Sequence, residues 1–244
     1  MIVQKRRSAE ETPPSSSPYQ GEDRRGKTSE LPSFRASTPI DFRLYLITDR
    51  KLFNAQCSLY LAIEDALKAG VKVIQLREKD LGPRDLLNMA YMMRDLTEQY
   101  NARLFINDRA DIALAVGADG VHLGQNNIPA HAVRKISGNK LLIGVSTHGI
   151  DEAIEAEKDG ADFITLGPIY RTPSKMEYGE SIGIKTLKEV RAIVSIPIFA
   201  IGGIKLDKVK EVTEAGADGV ALISAILTAE NIKETTEKFM RLLK

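Results

Sequence analysis

The sequence predicts an α/β fold: a single (βα)8 TIM barrel preceded by a disordered N-terminal tail. Eight short apolar runs recur after residue 40, stretches with apolar residues at helical spacing separate them, and one junction motif returns four times. The runs are Leu44–Thr48, Val73–Leu76, Arg103–Asn107, Gly120–Leu123, Leu142–Ser146, Phe163–Leu166, Pro197–Ile201 and Gly219–Ile223. Most are apolar at successive positions and do not alternate, as parallel strands buried on both faces require. Between them, residues such as Leu86, Met89, Met93 and Leu96 repeat at the period of a helix. Regular alternation of the two patterns makes a parallel sheet, and eight units close most naturally into a barrel. A doubly wound open sheet is the alternative.

The junction motif reads Lys68-Ala69-Gly70-Val71, Val116-Gly117-Ala118-Asp119-Gly120, Asp159-Gly160-Ala161-Asp162 and Ala215-Gly216-Ala217-Asp218-Gly219. Each is a helix ending, a glycine suited to the left-handed C′ position, then a short turn into a strand. That places Asp119 and Asp218 at the N-terminal ends of strands, the stability face of a barrel. Their repetition assigns them to turns and not to catalysis.

Residues 1–40 differ in texture. They hold five of the ten prolines and seven serines, including Pro13-Pro14-Ser15-Ser16-Ser17-Pro18, with no helical or strand period. Such a segment cannot offset its ordering entropy, so a disordered extension is expected before a barrel domain spanning 41–244. No apolar stretch follows Lys5-Arg6-Arg7, which argues against a secretory signal, and Glu10, Glu11, Glu22, Asp23 and Glu30 argue against a transit peptide. The whole chain has 34 Lys plus Arg against 33 Asp plus Glu, a net charge of +1. That balance offers no electrostatic case for nucleic acid or a membrane surface. No apolar run approaches the roughly 18 residues of a membrane span. The single Cys57 cannot form an internal disulfide, and no Cys/His cluster has zinc spacing, so a reducing, cytoplasmic location is expected.

In barrels of this kind chemistry belongs where strands end and βα loops begin. The second run ends in Gln75-Leu76-Arg77-Glu78-Lys79, and strand alternation puts Gln75, Arg77 and Lys79 on one side. Two cations and an amide suit a phosphate ester, although a solvated loop with an Arg–Glu pair fits equally. Asn107-Asp108-Arg109 follows the third run; Asp108 reads either as a helix cap or as a ligand for Mg²⁺, which takes one or two carboxylates plus phosphate oxygens. The fifth run ends in Ser146-Thr147-His148, two hydroxyls and an imidazole at the mouth. The sixth leads into Gly167-Pro168-Ile169-Tyr170-Arg171-Thr172-Pro173-Ser174-Lys175, whose hydroxyls and cations suit a lid that gathers anions. Gly202-Gly203 after the seventh run lets a ligand approach the backbone, and Ile223-Ser224 after the eighth opens a helix; together these loops form the usual phosphate site of the fold.

Residues 41–244 resemble the thiamine phosphate synthase family, (βα)8 enzymes related to thiazole tautomerases. QLREK at 75–79, NDR at 107–109, DGVHLGQ at 119–125, GVSTH at 144–148, GPIYRTPSK at 167–175, AIGGI at 200–204 and ISAI at 223–226 occur in family order. The resemblance implies condensation of a hydroxymethylpyrimidine diphosphate with a thiazole phosphate, giving thiamine phosphate and diphosphate. It further implies that Gln75, Leu76, Arg77, Glu78, Lys79, Asn107, Ser146 and Lys175 hold the pyrimidine substrate. Arg77, Lys79, Lys175 and Ser146 would be the catalytic groups among them. Thr172, Pro173, Ser174, Gly203, Ile223 and Ser224 would hold the thiazole phosphate, and Asp108 would ligate Mg²⁺ as the cofactor. The implied chemistry is dissociative: diphosphate departs, and the thiazole nitrogen captures the pyrimidinylmethyl cation.

Two positions depart from the pattern: Arg171 stands in the lid where the family usually has Pro, and Asn127 stands where it has an acid. The family's second Mg²⁺ carboxylate falls at Asn127, which can offer a carbonyl oxygen but no charge, so weaker metal binding is expected. A thiazole tautomerase acting through His148, a non-catalytic binder of the same phosphates, and a sugar-phosphate isomerase are the competing readings. Retention of Gln75, Arg77, Lys79, Asn107 and Lys175 favours the synthase. Small phosphate and diphosphate substrates are the expected partners, and a homo-oligomer is allowed without being dictated.

Overall fold

The structure, a computed structural model, describes residues 40–53, 56–172 and 181–244. The expected tail at 1–40 therefore lies almost wholly outside the described residues. Eight strands, β1 (Leu44–Ile47), β2 (Val73–Leu76), β3 (Arg103–Asn107), β4 (Gly120–Leu123), β5 (Leu142–Thr147), β6 (Phe163–Leu166), β7 (Ile198–Ile201) and β8 (Gly219–Leu222), pair in sequence order. All pairings are parallel, and β1 pairs with β8, so the sheet closes. The barrel is borne out and the open sheet is not. Strand limits differ from the sequence reading at four ends: β1 stops at Ile47, β5 runs on to Thr147, β7 starts at Ile198, and β8 stops at Leu222.

Helices α1 (Gln56–Lys68), α2 (Pro83–Gln99), α3 (Ala110–Ala115), α4 (Ala130–Ser137), α5 (Ile150–Lys158), α6 (Gly183–Arg191), α7 (Val209–Glu214), α8 (Ser224–Leu227) and α9 (Ile232–Leu242) follow the strands. In α2, Leu86, Met89, Met93 and Leu96 are buried, the face their spacing predicted. Pro83 starts this helix, where its missing N–H costs no intrahelical bond. The helix expected after β8 is the single turn α8, and α9 supplies the outer layer there.

Strand parity divides the core in two. Leu44, Leu46, Ile74, Leu76, Leu104, Ile106, Val121 and Leu123 point outward into the layer shared with the helices. Tyr45, Ile47, Val73, Phe105, Phe163, Phe199 and Ala221 point inward, with Phe42 among them. The Phe42 ring lies 5.0–6.3 Å from those of Tyr45, Phe105, Phe163 and Phe199, stacked on the first and edge-on to the next two, closing the barrel with aromatic rings. Large rings need small partners in so narrow a tube. A Cβ at Gly144 would lie 2.6 Å from His122 Nδ1 and collide with the Phe163 ring.

The four junction glycines, Gly70, Gly117, Gly160 and Gly216, all have positive φ, as the motif required. Behind three of them the aspartate closes the turn. Asp119 accepts from Arg94 and the Leu104 N–H, Asp162 from Arg134 and the Ile143 N–H, and Asp218 from Arg191 and the Ile198 N–H. Each carboxylate thus ties a strand start to an arginine on an outer helix. The turn role given to Asp119 and Asp218 holds.

Candidate active site

The inward parity that puts aromatic rings low in the barrel puts polar groups above them. Gln75 on β2, His122 on β4, Ser146 on β5 and Thr165 on β6 face one another there. Gln75 Nε2 donates to the Tyr45 hydroxyl at 3.2 Å, and that hydroxyl lies 3.4 Å from His122 Nδ1. The other ring nitrogen, Nε2, is 3.0 Å from Ser146 Oγ and 3.4 Å from Thr165 Oγ1. Gln75, Tyr45, His122 and Thr165 are buried, while Ser146 is partly open at the top of the set. Burial drives the His122 pKa down to about 3, with Asp108 pulling it up and Arg77 pushing it further down. The imidazole is neutral at pH 7. The sequence reading passed over His122, Tyr45 and Thr165; their signal was parity, since Gly120 and His122 share a face, as do Gly144 and Ser146.

The loop after β2 is built on a buried carboxylate. Glu78 accepts from Thr48 Oγ1 at 2.7 Å and from the Arg50 N–H at 3.1 Å, and Thr48 Oγ1 in turn accepts from the Arg77 N–H at 2.9 Å. Burial pushes the Glu78 carboxyl above its ordinary pKa, against the pull of Thr48 and Arg50. The Glu78 side chain is spent on holding the loop, and the Leu76 side chain lies in the outer core. Only the backbones of these two can face a ligand. Arg77 is partly exposed and Lys79 exposed, so both charges are free to meet solvent or an anion.

Asp108 stands at the end of β3 with φ +62°, a left-handed conformation uncommon outside glycine. Its Oδ1 accepts from the Gly124 N–H at 2.9 Å and its Oδ2 from Asn107 Nδ2 at 2.7 Å. Burial pulls its pKa up, but donors from Asn127, Gly124 and Asn107 and the charge of Lys79 outweigh that and hold it below the ordinary aspartate value. The helix-cap reading fails, because α3 has Arg109 as its N-cap and no side-chain capping bond. Asn127 donates to the Asp108 carbonyl at 3.0 Å, while its own Oδ1 accepts from the Ile128 N–H at 2.6 Å. The oxygen expected to face a metal is thus engaged by its own loop. An ionised, half-buried carboxylate beside a lysine still fits a hard cation that arrives with phosphate oxygens of its own.

Elsewhere at the mouth the structure redistributes the expected groups. Thr147 is buried in the wall and donates to the Thr165 carbonyl, so Ser146 alone of the two hydroxyls faces inward. His148 is exposed and engaged by Glu152, at 3.1 Å between Nδ1 and Oε2. Gly202 and Gly203 have φ +95° and +68°, and a Cβ at Gly203 would meet Tyr170 Cβ at 2.7 Å. The paired glycines make room for the chain's own β6 loop, and Gly203 stays exposed at the mouth. Ile223 and Ser224 stand at the start of α8, partly exposed and exposed in turn. Thr172 is partly exposed, and Pro173, Ser174 and Lys175 lie outside the described residues.

Comparison with known proteins decides the family. The sequence pattern described as thiamine monophosphate synthase matches residues 44–226, from the first strand through most of α8. The chain belongs to the thiamine monophosphate synthase family. Membership makes it a transferase of thiamine biosynthesis. It is 47% identical over 194 residues to the thiamine-phosphate synthase of Clostridium novyi, covering 80% of this chain and 95% of that protein. The thiamine-phosphate synthase of Clostridium beijerinckii is 45% identical over 207 residues, covering 83% and 98%. Among solved structures, the thiamine phosphate pyrophosphorylase of Pyrococcus furiosus superposes with a TM-score of 0.75 at 38% identity, covering 83% of this chain and 95% of that one. The matches span the barrel of a thiamine monophosphate synthase and nearly the full length of these relatives.

Proposed function

We propose that this chain joins 4-amino-2-methyl-5-(diphosphooxymethyl)pyrimidine to a thiazole phosphate, forming thiamine phosphate and releasing diphosphate. The observation that carries the reading is the polar layer above the aromatic floor, with Arg77, Lys79 and Asp108 at its rim. An uncharged, hydrogen-bonding pocket suits an aminopyrimidine, and a cationic rim suits its diphosphate. Gln75, Asn107 and Ser146 orient the pyrimidine end; Arg77, Lys79 and Lys175 bind the diphosphate; the backbones at Leu76 and Glu78 complete that wall. Thr172, Pro173, Ser174, Gly203, Ile223 and Ser224 take the thiazole phosphate.

The bond to the leaving diphosphate breaks first, and the thiazole nitrogen then attacks the pyrimidinylmethyl cation. Catalysis is therefore stabilisation of charge as it builds on the departing oxygens, plus alignment of the nucleophile. Arg77, Lys79 and Lys175 supply positive charge, and the Ser146 hydroxyl supplies a donor. Forming the carbon–nitrogen bond requires no general base, and the neutral His122 need not act as one. Mg²⁺, when bound, would neutralise diphosphate charge; Asp108 would hold it, with the Asn127 amide oxygen offering only the lone pair that the Ile128 N–H leaves over.

The test is thiamine phosphate formation from the two purified substrates across a Mg²⁺ titration, beside Asn127→Asp. Product from the parent protein is expected, with the variant reaching half its maximal rate at lower Mg²⁺. Absence of product from both at saturating Mg²⁺ would sink the reading.

A further inference from the structure

The geometry points to His122 as a positioning residue: held as the Nε2–H tautomer, its imidazole turns the Ser146 hydroxyl into a donor toward the pyrimidine diphosphate. This rests on the reaction proposed above, in which His122 orients Ser146 and takes up no proton.

The polarity of the buried chain follows from what each group can give. The Gln75 Nε2 amide only donates, and its 3.2 Å bond occupies a lone pair of the Tyr45 oxygen. The one Tyr45 proton then needs an acceptor, and among the described residues His122 Nδ1 at 3.4 Å is the acceptor in reach. A neutral ring that accepts at Nδ1 carries its proton on Nε2. That proton points at Ser146 Oγ, 3.0 Å away, with Thr165 Oγ1 beside it at 3.4 Å. Having accepted from Nε2, Ser146 has its own proton to give, and the open side of Ser146 is the mouth of the barrel.

Two further features build the slot for this ring. Gly144 lacks the Cβ that would stand 2.6 Å from Nδ1, so β5 leaves room for the imidazole. Gln125 Nε2 donates to the Ser146 carbonyl at 2.6 Å and pins the strand end that carries the hydroxyl. Every donor and acceptor from Gln75 to Ser146 thus has one direction, and it ends in the site.

Two measurements on the full chain test this. In ¹⁵N spectra of the imidazoles at pH 7, the His122 signal should show a protonated Nε2 and a bare Nδ1; a proton on Nδ1 overturns the proposal whatever the substrate is. In steady-state kinetics, His122→Asn should lower kcat about 10- to 100-fold, somewhat less than loss of a direct donor to developing charge. The KM for the thiazole phosphate should stay within about twofold, and His122→Gln, whose amide can stand near the lost Nε2–H, should recover most of kcat. In a Ser146→Ala background the same His122→Asn change should alter kcat by less than about twofold, because the two act as one unit. Losses that multiply in the double variant overturn the proposal, and so does a fall in kcat that His122→Gln does not relieve. A parent protein that forms no thiamine phosphate defeats the reaction reading alone, and the tautomer then decides the relay by itself.

Discussion

At the lower end of the barrel, Asp119, Asp162 and Asp218 each receive an arginine at 2.6–3.1 Å and a strand N–H at 2.6–2.9 Å. At the mouth, Asp108 receives amide donors, and no cation of the described residues closes on its oxygens; Lys79 acts from further off. Each lower aspartate has its charge neutralised by the fold's own arginine. Asp108 keeps its charge, in a left-handed backbone that favours glycine, and among the described residues no cation pairs with it directly. The same side chain is a staple at one end of the tube and a site group at the other. Partner chemistry makes the difference, since an arginine neutralises what an amide only orients.

Substitutions at the two ends should separate activity from stability. The largest effect is expected from Asp108→Ala, a fall in kcat/KM of roughly 100- to 1000-fold, the scale of losing one major charge-handling group. Urea unfolding of that variant should move little, and a large drop in its midpoint would erase the contrast. Asp119→Ala should do the reverse. It leaves the Leu104 N–H without this acceptor and takes one partner from Arg94, which keeps Glu98 and the Ala102 carbonyl, at a cost of about 1–3 kcal/mol in unfolding free energy. Its kcat, measured on folded protein, should match the parent.

A pH series sharpens the comparison from inside the barrel. His122 titrates near 6.5 when unfolded and about 3 when folded, so between those values the unfolded chain binds the extra proton. This group's contribution to stability is undiminished above pH 6.5 and falls by about 1.4 kcal/mol per pH unit below it, until about pH 3. The slope should be absent from a His122→Gln variant; equal slopes in the two would mean that the ring is not buried neutral. The smallest effect belongs to His148→Ala. An exposed pair with Glu152 contributes at most about 0.5 kcal/mol, and synthase activity should be unchanged. A full loss of activity would instead place His148 in the synthase site.

Much of this was legible in sequence, for a local reason. Whether Leu104 or Phe105 is apolar, and at what spacing, depends on neighbours along the chain, so eight strands and the buried face of α2 could be read directly. The junction glycines were legible because positive φ is a property of one residue. Thr147 shows where that reading stops: a hydroxyl at a strand end looks like a mouth residue until the strand runs one residue further and turns it into the wall. Glu78 shows it again, since a carboxylate between Arg77 and Lys79 reads as a site group until Thr48 and Arg50, some 30 residues away, claim it.

The sequence by itself determined the barrel, the end of it that carries the mouth loops, the structural aspartates and the family motifs. Hydrophobic period and backbone conformation are short-range, so composition and order suffice for these. Only the tertiary structure decided which polar groups meet. His122 reaches Ser146 across 24 residues and Tyr45 across 77 because parallel register brings their strands level. Asn127 turns one lone pair of its oxygen to the next residue's N–H, while its amide holds the Asp108 carbonyl across 19. A hydrogen bond depends on distance and direction between two atoms, and neither exists until the strands have closed.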